Sequence, residues 1–489
     1  MSSYLEKHRD EASKCVKCGI CHTECPTYIA TGDEAMVARG RLTLLEAVIE
    51  GDLKLSEEVE DRVSKCTSCL SCVTNCPRGI DPVKIINAAK GEYFKNNNSD
   101  YISKLVFKYF RNNGKSLFPF FKLLGMATNM FYNRIPAEGW ITELLPFVRN
   151  GIKKSIPQFG KRSIKDELPE IIKVKNPKMR VVFFTGCMTD FVYQEAGRKI
   201  ISILKSNQIE TIIPKNIGCC GAPAYYMGDH KTATQLASNN YNALSKLNPD
   251  FILVNCATCG EALTSVYEIL LNVNPVRDIS TDSDVKPSLQ TSSILPSALA
   301  EDFSNGVNSD FSRFSNKVID IHKFLIMTKS KIVDLPKMPT SRRREVGAFD
   351  KVKGNSEIIE QLQEIIRLNK RVRVTYHDPC HLNRGQKVHS EPREIIKSLP
   401  WVEFVEMDSA DACCGGAGGF SLKHYDLSLE IGKRKAESIK QTGADVVVTG
   451  CPSCRMQITD ILNRADYKRP VLHTVELLNL DMRQVAATR

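Results

Sequence analysis

CVKCGICHTECP at residues 15–26 and CTSCLSCVTNCP at residues 66–77 are the stretches that decide the N-terminal fold. Both have the spacing C-x2-C-x2-C-x3-C-P. This spacing binds iron–sulfur clusters, and where two such runs occur together the fourth cysteine ligates the other cluster. We therefore predict two [4Fe–4S] cubanes, the first held by Cys15, Cys18, Cys21 and Cys76, and the second by Cys66, Cys69, Cys72 and Cys25.

The segment between the two runs has a helical pattern. Leu42, Leu45, Val48 and Ile49 recur at helical spacing. We therefore expect a helical two-cluster ferredoxin domain, in which the two clusters lie close enough to act as an electron relay. Because proline cannot continue a helical turn, we expect the proline that closes each run to end one.

The other cysteines of the chain, which has eighteen in all, form two groups of five with none left over. Between successive cysteines the first group leaves 31, 0, 35 and 2 residues, and the second leaves 32, 0, 36 and 2. This agreement indicates an internal duplication, with an iron–sulfur centre in one or both copies. The predicted ligands are Cys187, Cys219, Cys220, Cys256 and Cys259 in the first repeat and Cys380, Cys413, Cys414, Cys451 and Cys454 in the second.

Other uses of cysteine fit this chain poorly. Disulfide frameworks are typical of short secreted chains, and this chain has 489 residues. Its start, MSSYLEKHRDEASK, lacks the apolar core of a signal peptide, which favours a reducing, cytoplasmic location. Zinc is held by four ligands, commonly in C-x2-C pairs, whereas each of these groups has five cysteines with an adjacent pair.

Strand and helix patterns alternate around both five-cysteine groups, which predicts two duplicated α/β lobes with small parallel sheets after the helical domain. The cysteines should gather at the carboxyl ends of the strands, where loops of open α/β sheets converge. The strand-bearing segments are RVVFFTGC (180–187), DFILVNC (250–256) and VIDIHKFL (318–325) in the first lobe, and VRVTYHDPC (372–380), DVVVTGC (445–451) and VLHTVELL (471–478) in the second.

These patterns divide the chain into five parts: a ferredoxin domain (1–100), a basic helical connector (101–178), the first repeat with a Ser/Asp-rich surface insertion (179–329), a linker (330–368) and the second repeat (369–489). Residues 101–165 carry twelve Lys or Arg against Glu138 and Glu143, interleaved with aromatic residues. Such a stretch either packs between domains or lies on the cytoplasmic face of a membrane. The basic linker either is solvated or docks a partner.

The formal net charge of +11 raises the alternative of nucleic-acid binding. That charge count omits the cysteine thiolates. A [4Fe–4S] core with four thiolates carries a charge of about −2, so bound clusters offset much of the excess. We therefore expect no nucleic-acid partner.

Several of these motifs resemble the iron–sulfur subunit of glycolate oxidase and its relatives in D-lactate and glycerol-3-phosphate dehydrogenase systems. The stretches are CVKCGICHTECPTYIATGDEAMVARGRLTLLEAV, HDPCHLNRGQ, ADACCGGAGGF and GCPSCRMQI. The resemblance implies an electron-transfer subunit with no flavin of its own. Its electrons would come from an FAD-containing dehydrogenase subunit or an electron-transfer flavoprotein and pass to a further acceptor, such as a membrane-linked quinone.

The five-cysteine repeats also resemble those of the heterodisulfide reductase catalytic subunit. In that family a full repeat is associated with a noncubane [4Fe–4S] cluster that cleaves a disulfide. Glycolate oxidase subunits tend to lose a cysteine at the end of the first repeat, whereas NCATCG (255–260) keeps both Cys256 and Cys259. This departure keeps disulfide reduction open, with Cys380, Cys413, Cys414, Cys451 and Cys454 as candidate catalytic residues.

Glycines and histidines beside these cysteines are further candidate cofactor-binding residues. Glycines next to the cysteine pairs allow close approach of the backbone to a cluster, and a phosphate-binding loop is the alternative. Histidines on either side of Cys380 either donate hydrogen bonds to a cluster or are structural. The residues are Gly218, Gly221, Gly415, Gly416, His377 and His381.

Overall fold

Short helices around the two cysteine runs build the N-terminal domain. Asp81 caps the longest helix, because its carboxylate accepts hydrogen bonds from the backbone N–H of Val83 and Lys84. The helix Ala38–Glu50 ends at Gly51, whose φ of 90° is left-handed. The helices are Glu6–His8, Arg9–Ala12, Ile20–His22, Pro26–Thr31, Glu34–Met36, Ala38–Glu50, Glu57–Ser64, Ser71–Thr74 and Pro82–Asn96.

Pro26 has a different role from the one predicted. It occupies the first turn of the helix Pro26–Thr31, with Cys25 as the N-cap, so it begins a helix and does not end one. The first helical position tolerates proline, because its missing N–H has no partner there in any case. Cys25 is thereby held at the N-terminus of this helix.

The computed structural model describes residues 4–97, 162–271, 310–329 and 371–478, together with residues 157, 160 and 362. Most of the predicted basic connector, most of the Ser/Asp-rich insertion and nearly all of the linker lie outside these residues. Within the described part, no helix is long and apolar enough to cross a membrane.

The first α/β unit has a five-stranded sheet in the order β1-β3-β2-β4-β5. Strands β2 to β5 are parallel, and β1 pairs antiparallel with β3. The sequence did not predict β1 and placed it in the connector. The strands are β1 Ile171–Ile172, β2 Met179–Phe184, β3 Ile209–Ile212, β4 Phe251–Val254 and β5 Val318–Asp320.

Helices cover this first sheet. The chain from Asp310 to Lys317, predicted as part of an irregular insertion, forms a helix that buries Phe311 and Phe314 against Tyr241. The helices are Ile164–Glu167, Gly186–Phe191, Gln194–Ser206, Ala222–Tyr226, His230–Ser245, Ala257–Glu261, the π-helical turn Ala262–Val266, Tyr267–Leu270, Asp310–Lys317 and Ile321–Met327.

The second α/β unit has a four-stranded, fully parallel sheet in the order β7-β6-β8-β9. This order matches β3-β2-β4-β5 of the first sheet. The strands are β6 Val372–His377, β7 Val402–Phe404, β8 Val446–Thr449 and β9 Val471–His473, and the helices are the π-helical turn His381–Gly385, Ser390–Lys397, Phe420–Lys423, Tyr425–Thr442, Pro452–Arg464 and Thr474–Leu477.

The two sheets share their hydrophobic cores. One buried cluster joins Phe184 and Val254 of the first unit to Val447 of the second. Another joins Phe183 and Leu253 to Val448 in the same way. Continuous apolar strands such as these are typical of parallel sheets covered on both faces. The two α/β units therefore pack as one body, with their cysteine-bearing strand ends near each other.

Candidate iron–sulfur sites

The four thiols predicted to hold the second cubane line one cavity. Cys25, from the first cysteine run, lies there with Cys66, Cys69 and Cys72 from the second run. Their mutual repulsion and burial raise the pKa of Cys72 well above its usual range, with burial the larger cause. This arrangement agrees with the crossed set of ligands predicted from the spacing.

Buried cations surround this second cubane site. Arg41 also lines the cavity, is 1 % exposed, and donates hydrogen bonds to the carbonyl oxygens of Met36 and Arg62. Lys90 donates to the carbonyl oxygens of Cys66 and Tyr226, and burial lowers its pKa to about 8. Positive charge at this site offsets the negative charge of a thiolate-ligated cluster.

The first cubane site lies nearer the surface. Cys18 is exposed, and Cys15, Cys21 and Cys76 are partly buried. Cys15 and Cys76 pack against the same apolar cluster, although one comes from each cysteine run. Burial raises the pKa of Cys21, and Cys25 and Cys15 raise it further. Cys66 packs against the same cluster, so the exchange of Cys76 into the first cubane stays a prediction.

The cysteines of the first repeat form a chain of thiol contacts. Cys187 contacts Cys219, and Cys220 contacts both Cys219 and Cys259. Hydrogen bonds from Cys219 and then Cys259 lower the pKa of Cys220 to about 6. Five thiols within reach of one another are a suitable donor set for iron, which binds thiolates and releases their protons.

The second repeat repeats this pattern and extends it into the first. A hydrogen bond from Cys454, and a second from His377, hold the pKa of Cys414 well below its usual range. Hydrogen bonds from Cys256 and then Cys454 do the same for Cys451. Cys256 belongs to the first repeat, so the two five-cysteine groups touch each other.

A cleft of about 110 Å³ opens onto the second group of cysteines. Its walls come from all three parts of the structure and are mainly apolar, with Tyr226, Met227 and Phe420 among the residues that line it. All five cysteines of the second repeat reach it: Cys380, Cys413, Cys414, Cys451 and Cys454.

Glycines next to the two cysteine pairs behave alike. Gly221 and Gly415 have φ of 84° and 83°, and each donates its N–H towards the first sulfur of the pair, at 3.5 Å from Cys219 and 3.3 Å from Cys413. A Cβ on Gly416 would lie 3.5 Å from Cys414 Sγ. Gly218 instead donates to Asn240 Oδ1 at 3.3 Å. Gly221 and Gly415 thus form turns beside the thiols. A residue with a side chain would be strained at either position, because both have a left-handed φ.

The two predicted histidines have different surroundings. His377 ends β6 and lies with Cys414 and Cys454, their ligand atoms all within 4.8 Å of one another. His381 begins the π-helical turn after Cys380, and its Nε2 lies 2.9 Å from the carbonyl oxygen of Ser68. Because a carbonyl accepts, His381 Nε2 carries the proton of this bond.

Arg384 is a functional candidate that the sequence analysis missed. Its side chain is 8 % exposed and donates to Asp411 Oδ2 at 2.8 Å. Cys69, Cys380 and Asp411 raise its pKa against the opposing effect of burial. The guanidinium therefore lies within electrostatic reach of Cys69 at the second cubane site and of Cys380 in the second repeat. Its position in HLNRG, four residues after Cys380, was the available signal.

Polar groups also join the two α/β units behind the cysteines. His322 Nδ1 donates to Asp320 Oδ1 at 2.7 Å, and the His322 ring stacks on that of His473 with ring centroids 5.6 Å apart. His473 Nε2 donates to the carbonyl oxygen of Asn255 at 2.9 Å. Burial, together with His322, lowers the pKa of His473 to about 3. The strand end that carries Cys256 is thereby held by the other unit.

Comparisons with known families agree with this architecture. The model of the 4Fe-4S dicluster domain matches residues 11–80. The model of the cysteine-rich domain called CCG matches twice, at residues 181–264 and 374–459. These matches and the thiol sets above define an iron–sulfur oxidoreductase component that binds several [4Fe–4S] clusters.

Three relatives are similar over most of the chain. An uncharacterized iron–sulfur protein of Methanococcus maripaludis is 27% identical over 95% of this chain and 71% of its own length. The "Probable glycolate oxidase iron-sulfur subunit" of Bacillus subtilis is 25% identical over 96% of this chain and 93% of its own length. A component of the dihydromethanophenazine:CoB–CoM heterodisulfide reductase of Methanosarcina barkeri is 26% identical over 92% of this chain and 89% of its own length.

The matched domains and these relatives support the assignment of the chain to the iron–sulfur subunits that carry two CCG domains, to which glycolate oxidase iron–sulfur subunits and the heterodisulfide reductase component are similar.

Proposed function

We propose that this chain is the electron-transfer subunit of a flavin-dependent 2-hydroxyacid dehydrogenase complex. An FAD-containing subunit would oxidise the hydroxyacid, and this chain would carry the electrons to a further acceptor. The observation that supports this function best is that Cys66 of the second cubane site lines the same cleft as Cys380 and Cys413 of the second repeat. Burial raises the pKa of both second-repeat thiols, and the neighbouring Cys69 raises it further, so these thiols are within electrostatic reach of one another.

The contacts support a route with a definite order. Cys25 links the first cysteine run to the second cubane site. Cys66 shares a cleft with Cys380 and Cys413 of the second repeat, and the contact between Cys451 and Cys256 links the second repeat to the first. Iron–sulfur clusters supply one-electron carriers when bound. The chain's own part is to hold the thiols in sequence and keep water from the inner sites, since Cys69 and Cys451 are buried.

Electrons would enter at the first cubane site. Cys18 is exposed there, and its neighbours Val16 and Ile20 are 61 % and 46 % exposed. Exposed apolar side chains around a redox ligand are suited to docking a protein partner. We assign this face to the FAD-containing subunit, and we treat the two α/β units, residues 179–329 and 369–489, as duplicated lobes.

A second function is supported by the cleft that opens onto the second repeat. All five of its cysteines reach a cleft large enough to admit part of a small molecule. The first repeat is also complete, as in heterodisulfide reductases. In this alternative a disulfide in the cleft takes up two electrons and two protons and leaves as two thiols, with this chain as the catalytic subunit.

One pair of assays distinguishes the two functions. An electron-transfer subunit is inert alone towards hydroxyacids and reduces an artificial acceptor only with its flavoprotein and substrate. A disulfide reductase turns over a heterodisulfide with reduced viologen as donor and no partner. Partner-free disulfide turnover that disappears in Cys413→Ser would overturn the first proposal in favour of the second.

A further inference from the structure

His377 is a predicted site histidine that lies beside two cysteine sulfurs. The side chain is 1 % exposed at the end of β6. Among the described residues, neither ring nitrogen has an oxygen or nitrogen partner in hydrogen-bond geometry. A buried imidazole without an oxygen or nitrogen partner must be satisfied by sulfur or by a ligand, because native structures seldom leave a buried polar atom unpaired.

The atoms that His377 does face are thiol sulfurs. One ring nitrogen, Cys414 Sγ and Cys454 Sγ all lie within 4.8 Å of one another. Three such donor atoms, all buried, are spaced as the ligands of a single metal ion are. Imidazole nitrogen and thiolate sulfur are both accepted ligands of iron.

The first repeat contains a built-in comparison. Phe184 ends β2 as His377 ends β6, and the cysteine that follows each strand comes three residues later. In the registers, Phe184 pairs with Val254 and His377 with Thr449, at matching ends of the central strands. This position therefore accepts an apolar ring, and packing alone does not require an imidazole in the second unit.

His381 does not have this role. Its Nε2 is engaged with the carbonyl oxygen of Ser68 at 2.9 Å, across the boundary with the N-terminal domain. The two histidines on either side of Cys380 thus have different contacts. His377 lies beside thiols, and His381 binds the neighbouring domain.

We propose that His377 is an iron ligand of the cluster in the second repeat, beside Cys414 and Cys454. The inference depends on a cluster being bound there and not on which substrate the complex oxidises. A neutral imidazole in place of a thiolate leaves the centre less negative, as in Rieske centres, where histidine ligands raise the reduction potential. A cysteine at position 377 would add a thiolate to the five of this repeat and lower the reduction potential of the centre, whereas the neutral imidazole adds no charge.

The test uses the anaerobically reconstituted full-length protein with ¹⁵N-labelled histidine. The signal of the second-repeat centre is first identified as the one that Cys413→Ser perturbs. Pulsed electron paramagnetic resonance on that signal should show strong coupling to a histidine nitrogen. The coupling should vanish in His377→Phe, which copies the first repeat, and persist in the matched control His381→Phe.

His377→Cys covers the case in which His377→Phe fails to bind its cluster. It should retain the iron, lose the nitrogen coupling and lower the reduction potential of this centre. Absence of strong histidine coupling in the wild-type protein, or its persistence in His377→Cys, would overturn the proposal. A zinc ion bound in proportion to the protein and lost in either His377 variant would also overturn it, since the three residues would then form a separate zinc site.

Discussion

The imidazole Nε2 of His381 lies 2.9 Å from the carbonyl oxygen of Ser68, although 313 positions separate the two residues in the chain. Ser68 lies between Cys66 and Cys69, and His381 directly follows Cys380. The π-helical turn that His381 begins also contacts the first repeat, because Gln386 donates to the carbonyl oxygen of Ala257 at 2.9 Å. One turn therefore fixes three cysteine-bearing loops relative to one another.

Crossed ligation of the cubanes gives the first prediction. Cys25→Ser should alter the same paramagnetic signal as Cys69→Ser, because both thiols line one cavity. Cys76→Ser should instead alter the signal that Cys15→Ser alters. Spectroscopy on the four single variants checks this, and the crossed arrangement is wrong if Cys25→Ser and Cys15→Ser perturb the same centre.

Metal content gives the second prediction. Two cubanes and one four-iron centre in each repeat require ~16 iron atoms per chain. Anaerobic iron and sulfide analysis measures this directly. A value near ~12 would mean that one repeat is loaded, and a value near ~8 would contradict the assignment of clusters to both repeats.

Charge at the junction between domains gives the third prediction. Arg384→Met should lower the reduction potentials of the second cubane and the second-repeat centre, because it removes a buried positive charge within electrostatic reach of both. At an effective dielectric constant near 20, two unit charges that are about 8–16 Å apart interact by roughly 1–2 kcal/mol. That corresponds to about 40–90 mV for a one-electron couple. Potentiometric titration checks both centres.

Two variants serve as controls for that prediction. Arg384→Lys keeps the charge and should shift the potentials less. Arg198→Met removes an arginine that pairs with Glu167 and Glu195 and has no cysteine among its main electrostatic neighbours. An equal shift in Arg198→Met would show that the effect is not local.

A buried ion pair gives the fourth prediction. Arg455 Nη1 donates to Glu476 Oε2 at 2.6 Å, with side chains 3 % and 1 % exposed, and the guanidinium lies over the ring of Tyr193 from the first unit. Arg455→Met leaves a buried carboxylate unpaired and should lower the free energy of unfolding by about 3–5 kcal/mol.

The double variant Arg455→Met/Glu476→Gln tests the reason for that loss. It should recover much of the stability, because no charge is then left buried and the amide oxygen can still accept from the N–H of His473. Lys433→Met, at an exposed pair with Glu430, should change stability by less than about 1 kcal/mol. Anaerobic urea unfolding measures all three, and an unstable double variant would mean that packing of Arg455 matters more than its charge.

Buried neutral histidines give the fifth prediction. Burial and the neighbouring His322 lower the pKa of His473 to about 3, from an ordinary value of 6.5. Below pH 6.5 this imidazole is therefore protonated in the unfolded chain and stays neutral in the folded chain. The free energy of unfolding consequently falls as the pH drops from 6.5 towards 3. His230 and His424, whose pKa values burial lowers to about 4, act in the same direction.

His473→Gln isolates the contribution of one histidine. The loss of stability between about pH 7.5 and pH 5.5 should be smaller in this variant than in the wild-type protein. His389→Gln, at an exposed position, should leave the pH dependence unchanged. Urea midpoints at the two pH values check this, and equal slopes in His473→Gln and the wild-type protein would contradict it.

The sequence predicted what depends on local pattern. Buried parallel strands are continuous apolar runs, so β2, β4, β6 and β8 were recognisable from segments such as RVVFF and DVVV. Cysteine spacing likewise predicted that Cys25 lies with Cys66, Cys69 and Cys72, which line one cavity.

Features that depend on docking between domains were not predictable. Arg384 and Asp411 are 27 positions apart, and no local pattern in either segment predicts their ion pair. Strand β1 has only two residues, too few to show alternation, and exists because β3 offers it a free edge. Pro26 was assigned to the wrong end of a helix. Proline is common both after helices and in their first turn, so its presence alone does not distinguish the two positions.

The burial of the ligands has a consequence for how the protein matures. Eight of the cysteines are buried, and Cys256 meets Cys451 where the two α/β units close on each other. A cluster the size of a cubane cannot pass through that closed contact. The buried thiols of the first repeat, Cys219, Cys220, Cys256 and Cys259, do not line the cleft. We therefore expect iron and sulfide to enter the first repeat while the units are still apart, so that its loading becomes a step of folding. A chain that closes before it is loaded would hold its first-repeat thiols where the delivery machinery cannot reach them.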